Sequence, residues 1–159
     1  DKYKQLIKSV IINTVDKSVI AINSAKKLYT NLPANNSSTI DNKGFEIIKT
    51  SNFKTINGYK CYQWRVKNKS VNTEITYWVA SDNFNFFDNL LKTLSTTDKN
   101  LTYFLRLPNI DGSIPMVSVE RTLLRDEKNS LTVLDISKTK LSDTLFKIPN
   151  DYKNYQFVR

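Results

Sequence analysis

The feature that most constrains this chain is a short apolar alternation broken by Asn57-Gly58. Both residues tolerate the positive φ of a type I′ turn, so the pair is a strong signal for a two-residue β-hairpin. On its far side Tyr62, Trp64 and Val66 point one way, while Cys61, Gln63 and Arg65 point the other. Before it, Phe45 and Ile47 share a face of a strand running towards Thr55. After it, Asn68 to Asn72 makes a second turn and Thr73 to Ala80 returns. Ile75, Tyr77 and Val79 form the apolar side of that return, with Trp78 opposite.

The same grammar extends to both ends. Leu6, Val10 and Ile12 fall on one side of a first strand, with Ile7 and Ile11 on the other. Asp16-Lys17-Ser18 predicts a turn, Val19 to Asn23 a second strand and Lys27 to Thr30 a third. Residues 33–44 are polar and turn-rich, and predict a long loop. Past the helical region, Asn109 to Gly112 is a turn. Ile114 to Arg125 is a long strand with Val117, Val119 and Leu123 on one side. A charged connection at 125–129 then leads into a strand from Leu131 to Lys138. Ser142 to Phe146 reads as one helical turn stopped by Pro149.

The period changes once. Phe87, Leu90, Leu91 and Leu94 recur at helical spacing, with Asn85 and Asp88 placed to cap the start. Leu101, Phe104 and Leu105 repeat part of that stripe, and Pro108 ends it. A length of 159 residues with 40% hydrophobic content fits a single domain, 1–159, with a real core. The fold class expected is α+β: a strongly curved antiparallel sheet, an incomplete β-barrel, with a helical patch on its concave side. The alternative is a flatter, cystatin-like sheet packed on helices.

Composition excludes several chemistries. With three glycines, Gly44, Gly58 and Gly112, spaced far apart, no glycine-rich phosphate loop exists. With no histidine, Ser-His-Asp and Cys-His hydrolases and most catalytic zinc sites are ruled out. The single cysteine, Cys61, allows no internal disulfide and no zinc cluster, and its place in a strand predicts a small buried residue. The candidate acid/base carboxylates are Glu74, Glu120, Asp126, Glu127 and Asp135, and nothing in their spacing places two of them across a scissile bond. The expectation is a non-enzymatic protein with no cofactor and no metal.

The net charge of +9 is uneven. Residues 1–80 carry 13 basic and 5 acidic groups, and residues 81–159 carry 11 and 10. A basic N-terminal half suits an anionic envelope component, namely lipid, polysaccharide or a protein partner, with Tyr59 and Trp78 as candidate sugar-stacking rings. Single lysines alternating with apolar residues are also how the solvated side of a sheet reads. No zinc finger, ribonucleoprotein motif or basic recognition helix accompanies the charge, so nucleic acid is not an expected partner. No apolar run approaches the ~18 residues of a membrane-spanning helix, and no signal-peptide pattern is visible from Asp1 onward.

Four segments together carry a family resemblance: Ile56-Asn57-Gly58-Tyr59-Lys60-Cys61-Tyr62, Tyr77-Trp78-Val79-Ala80, Gly112-Ser113-Ile114-Pro115, and Leu145-Phe146-Lys147-Ile148-Pro149-Asn150-Asp151-Tyr152-Lys153. In this order, over residues 45–153, the chain resembles a family of secreted bacterial domains. Ser113 between Gly112 and Ile114 is a one-residue departure from that family's usual strand start. The family in turn looks related to the outer-membrane lipoprotein carriers, whose incomplete barrel holds a lipid in its concave face. The resemblance implies a periplasmic or cell-surface protein, exported in a Gram-negative bacterium, with a lipid or lipoprotein as partner. It carries no catalytic residues. A half-barrel lined by Tyr62, Trp64, Ile75, Tyr77, Val117 and Val119, lidded by Phe87, Leu91 and Leu94, is the expected site for an acyl chain, each buried methylene contributing about 0.8 kcal/mol. The oligomeric state is left open.

Overall fold

The computed structural model describes residues 8–34, 41–94 and 96–155. In chain order the strands are β1 (Lys8–Asn13), β2 (Ser18–Asn23), β3 (Leu28–Leu32), β4 (Phe45–Ile56), β5 (Tyr59–Asn68), β6 (Thr73–Ser81), β7 (Ser113–Arg121), β8 (Glu127–Thr132) and β9 (Lys153–Asn154). Two short helices, α1 (Phe86–Thr93) and α2 (Lys99–Thr102), lie between β6 and β7. The chain is therefore mostly β with two sheets, and no closed barrel is present among the described residues. No helix among them is long and apolar enough to cross a membrane. Leu6 and Ile7, and residues 35–40 of the expected loop at 33–44, lie outside the described residues.

The chain divides into two compact units. The first holds a four-stranded sheet in the order β1-β2-β3-β9, with β9 joining β3 in parallel. Its two hairpin loops are built alike. The Asn13 side chain accepts the Val15 N–H (3.0 Å), and the Asn23 side chain accepts the Lys26 N–H (3.1 Å). Lys17 and Lys27 then close the loops at φ 54° and 50°. An Asx turn at each strand end thus does the work that glycine performs elsewhere.

The second unit is a five-stranded antiparallel sheet in sequence order, β4-β5-β6-β7-β8. Asn57 and Gly58 adopt φ 50° and 79°, the left-handed pair a type I′ turn needs. One side of the sheet packs into the main core. Val66, Ile75, Tyr77 and Val79 meet Leu91 of α1 and Tyr103, Phe104 and Leu107 of the segment after α2. The Tyr77 hydroxyl, buried beneath this layer, donates to the Asn100 carbonyl at 2.9 Å. Its ring contacts that of Phe104 edge-on at 5.8 Å. A smaller cluster of Cys61, Ala80, Phe84, Ile114 and Met116 closes one end of the unit. There the Gly112 carbonyl accepts the N–H groups of Asp82 and Phe84, both at 3.1 Å. Gly112 has φ 67°, and a Cβ on it would lie 3.0 Å from the Asn85 side-chain oxygen, so glycine is required.

Two sequence expectations shift. The second helix is split: α2 covers four residues capped by Asp98, whose side chain accepts the Asn100 N–H at 2.8 Å, and a 3₁₀ turn at Phe104–Arg106 follows. The last long hairpin turns earlier than the apolar pattern suggests. β7 ends at Arg121 rather than Arg125, and β8 covers Glu127–Thr132 rather than Leu131–Lys138. The cause is a closed turn at 122–126. The Thr122 N–H donates to the Asp126 carbonyl at 2.8 Å, and the Asp126 N–H donates to the Thr122 hydroxyl at 3.0 Å. This places Leu123 and Leu124 in the turn, with Leu124 84% exposed.

Candidate functional site

The cross-strand register separates the strand residues expected to line the ligand site. Trp64 pairs with Tyr77, Val66 with Ile75 and Tyr62 with Val79, so Tyr62, Trp64, Ile75 and Tyr77 share one side of the second unit's sheet. Val117 pairs with Trp78 and Val119 with Thr76, which puts both on the opposite side. The unbroken register from Glu74↔Arg121 to Trp78↔Val117 sets this parity, and it shifts only past Trp78, where Pro115 rather than Met116 faces Val79. Leu91 and Phe87 come from α1. Leu91 is buried in the main core and Phe87 packs on it.

On the core side, Ile75, Tyr77 and Leu91 are closed in by neighbouring side chains, and Trp64 is partly buried beside them. Burial raises the Tyr77 phenol well above its usual range. Tyr62 stands apart at 39% exposure, beside Phe53 and between the ammonium groups of Lys49 and Lys60 at 5.6 and 5.1 Å from its ring. These residues thus build a packed interior with one solvated aromatic at its edge.

An apolar concavity lies in the first unit, at residues not expected to bind a ligand. It is a cleft of about 510 Å³ over β1, β2 and β3. Val10, Ala21 and Thr30 are direct cross-strand neighbours, and so are Lys8, Asn23 and Leu28, so both rows lie on one side of this sheet. Tyr155 borders the cleft, its N–H donating to the Tyr29 carbonyl at 2.7 Å. Val10 is 51% exposed there, although it sits mid-strand. The small Ala21 leaves the floor low between Val10 and Thr30. Lys8 and Lys26 stand at the rim, so an apolar slot carries cations at its mouth. Nearby, Lys27 and Asp151 form a surface ion pair at 2.9 Å, which lowers the Asp151 carboxyl and raises the Lys27 ammonium.

The candidate acid/base carboxylates are mostly engaged. Glu74 accepts two hydrogen bonds from Arg65 and one from Arg125, all at 2.9 Å. Glu120 faces Lys99 at 3.4 Å, and Glu127 faces Arg121 at 3.1 Å. The Asp126 carboxylate accepts the Thr122 hydroxyl. No group of three or more metal-ligating side chains occurs among the described residues. Cys61 is fully buried, and burial pushes its thiol up, away from the reactive thiolate. Of the two rings considered for sugar stacking, Tyr59 packs on Phe84 at 5.3 Å, while Trp78 opens onto the outer side of the sheet.

Residues 1–152 match the family described as Domain of unknown function (DUF4412). The chain belongs to this family. The match runs through β1 to β8 and ends before β9 and Tyr155. No curated protein and no solved structure matches the chain.

Proposed function

We propose that this DUF4412 chain is a non-enzymatic cell-envelope protein that binds a hydrophobic ligand, a lipid or acyl chain. The reading includes kinship with the outer-membrane lipoprotein carriers and export to the periplasm or cell surface. The helices over one side of the five-stranded sheet are what such an incomplete barrel with a helical patch requires. A lipid or lipoprotein is the proposed partner.

The observation that carries the reading is the cleft of the first unit. Its volume, about 510 Å³, falls in the ~300–1,000 Å³ range of small-molecule sites. Its walls are Val10, Ala21, Leu28 and Tyr155, and Lys8 and Lys26 suit the carboxylate or phosphate of an amphiphile. The residues under α1 are less suited, because Ile75, Tyr77 and Leu91 already satisfy one another. We therefore place the acyl chain on Val10, Ala21 and Leu28. A second reading, an anionic envelope component as partner, is favoured by the cations around Trp78.

The test is titration with a pyrene-labelled fatty acid. Ala21→Phe fills the floor of the cleft. The proposal expects at least a tenfold loss of probe affinity with the thermal transition kept. Equal affinity in wild type and variant would overturn this placement.

A further inference from the structure

The outer side of the five-stranded sheet, opposite the helices, carries a feature the acyl-binding reading does not use. A depression of about 490 Å³ crosses β5, β6 and β7. Its floor is two cross-strand rows, Gln63-Trp78-Val117 and Arg65-Thr76-Val119. Lys54, Arg121 and Arg125 rise around it.

One buried carboxylate holds Arg65 and Arg125, while Arg121 pairs with Glu127 at 3.1 Å. Glu74 is 4% exposed and holds the Arg65 guanidinium through two parallel hydrogen bonds, with Arg125 on one of the same oxygens at 2.9 Å. Lys67 lies 3.8 Å from the other oxygen. A single carboxylate thus faces three cations, and the surplus positive charge is fixed in place at the edge of an open groove. The Arg125 and Arg121 side chains are 62% and 31% exposed; each gives one nitrogen to a carboxylate, Glu74 and Glu127, and keeps further N–H donors for a second anion. Lys54 rests on the Trp78 indole at 4.3 Å from the ring centroid.

We infer that this groove binds an acidic oligosaccharide. Three observations select that class. Arg125 and Arg121, each held by a carboxylate through one nitrogen, present their other N–H donors to the planar carboxylate of a uronic acid. Gln63 and Thr76 offer amide and hydroxyl groups to sugar hydroxyls on the floor. The indole of Trp78 offers a flat apolar surface to a pyranose ring, and Lys54 then moves from the indole to the sugar's carboxylate. A planar membrane surface would meet the rim cations but not Val117, Val119 and Trp78, which form the floor of the depression.

The test uses the full chain and oligogalacturonate, with neutral oligogalactose of equal length, inorganic sulfate and phosphatidylglycerol vesicles as comparison probes, by calorimetry at low salt. The inference expects oligogalacturonate to bind at least tenfold more tightly than oligogalactose or sulfate. Arg121→Ala and Lys54→Ala, neither of which removes the Arg65 and Arg125 hydrogen bonds to Glu74, should each weaken it at least fivefold. Trp78 fluorescence should change on binding, read in a Trp64→Phe background. Ala21→Phe should leave this binding unchanged, which separates the groove from the acyl cleft. Equal binding of the neutral oligomer, or full affinity in both Arg121→Ala and Lys54→Ala, would overturn the inference. So would vesicle binding that depends on these two residues in a protein that ignores oligogalacturonate.

Discussion

The two sheets are made by the same hairpin grammar and end in opposite states. In the second unit the apolar side of β5 and β6 is covered by α1 and the segment after α2. In the first unit β1, β2 and β3 keep part of an aliphatic surface open. Among the described residues, Val19 and Ile22 are the buried apolar side chains of the first unit, against thirteen in the second, from Cys61 to Met116. The buried apolar core therefore resides mainly in the second unit. Strand alternation alone does not decide whether a side becomes core or site. What decides it is whether the chain supplies a helix to cover it.

The strongest break in this comparison is Leu91→Asp. It puts a carboxylate into the covered side, and should cost about 3–5 kcal/mol, lowering the thermal transition by more than about 10 °C. An unchanged transition would mean that α1 does not seal the sheet. Tyr77→Phe is a finer probe of the same layer. It removes the hydroxyl bonded to Asn100 and leaves that carbonyl buried, so chemical denaturation should show a loss of about 1–2 kcal/mol. A neutral result would show that water reaches the Asn100 carbonyl.

The smallest effect belongs to the first unit, at its exposed Lys27–Asp151 pair. The Asp151 carboxyl is depressed, so its contribution is present above the ordinary carboxylate pKa of about 3.9 and fades as pH falls through the folded value. The Lys27 ammonium is raised, so its contribution is present below about 10.4 and fades as pH rises through the folded value. Asp151→Asn should flatten only these two outer limbs of the pH–stability curve, and solvent screening keeps the change slight. A large loss at neutral pH would mean that this ion pair, rather than the strands, holds β9 beside β3.

What the sequence reveals follows the same division. Asn57-Gly58 gives the central hairpin because positive φ at two adjacent residues is a local demand. The stripe of Phe87, Leu90 and Leu91 gives α1 because its period is local too. Val117 and Val119 escape that logic. Their side relative to Tyr77 is set by the β6–β7 register, in which Tyr77 faces Ser118, and register depends on the partner strand. The end of β7 escapes it as well, since Thr122 and Asp126 close a turn that an apolar pattern through Leu123 and Leu124 conceals. The cleft is the least legible feature. It needs the small Ala21 between Val10 and Thr30, and a two-residue β9 arriving from the far end of the chain, too short to leave a pattern.

The most direct measurement is native mass spectrometry of the protein isolated from a bacterial envelope, wild type beside Ala21→Phe, followed by denaturing release. The account predicts a wild-type adduct of lipid mass that is released on denaturation and absent from the variant. A wild type of bare polypeptide mass, or an adduct retained equally by Ala21→Phe, would contradict it.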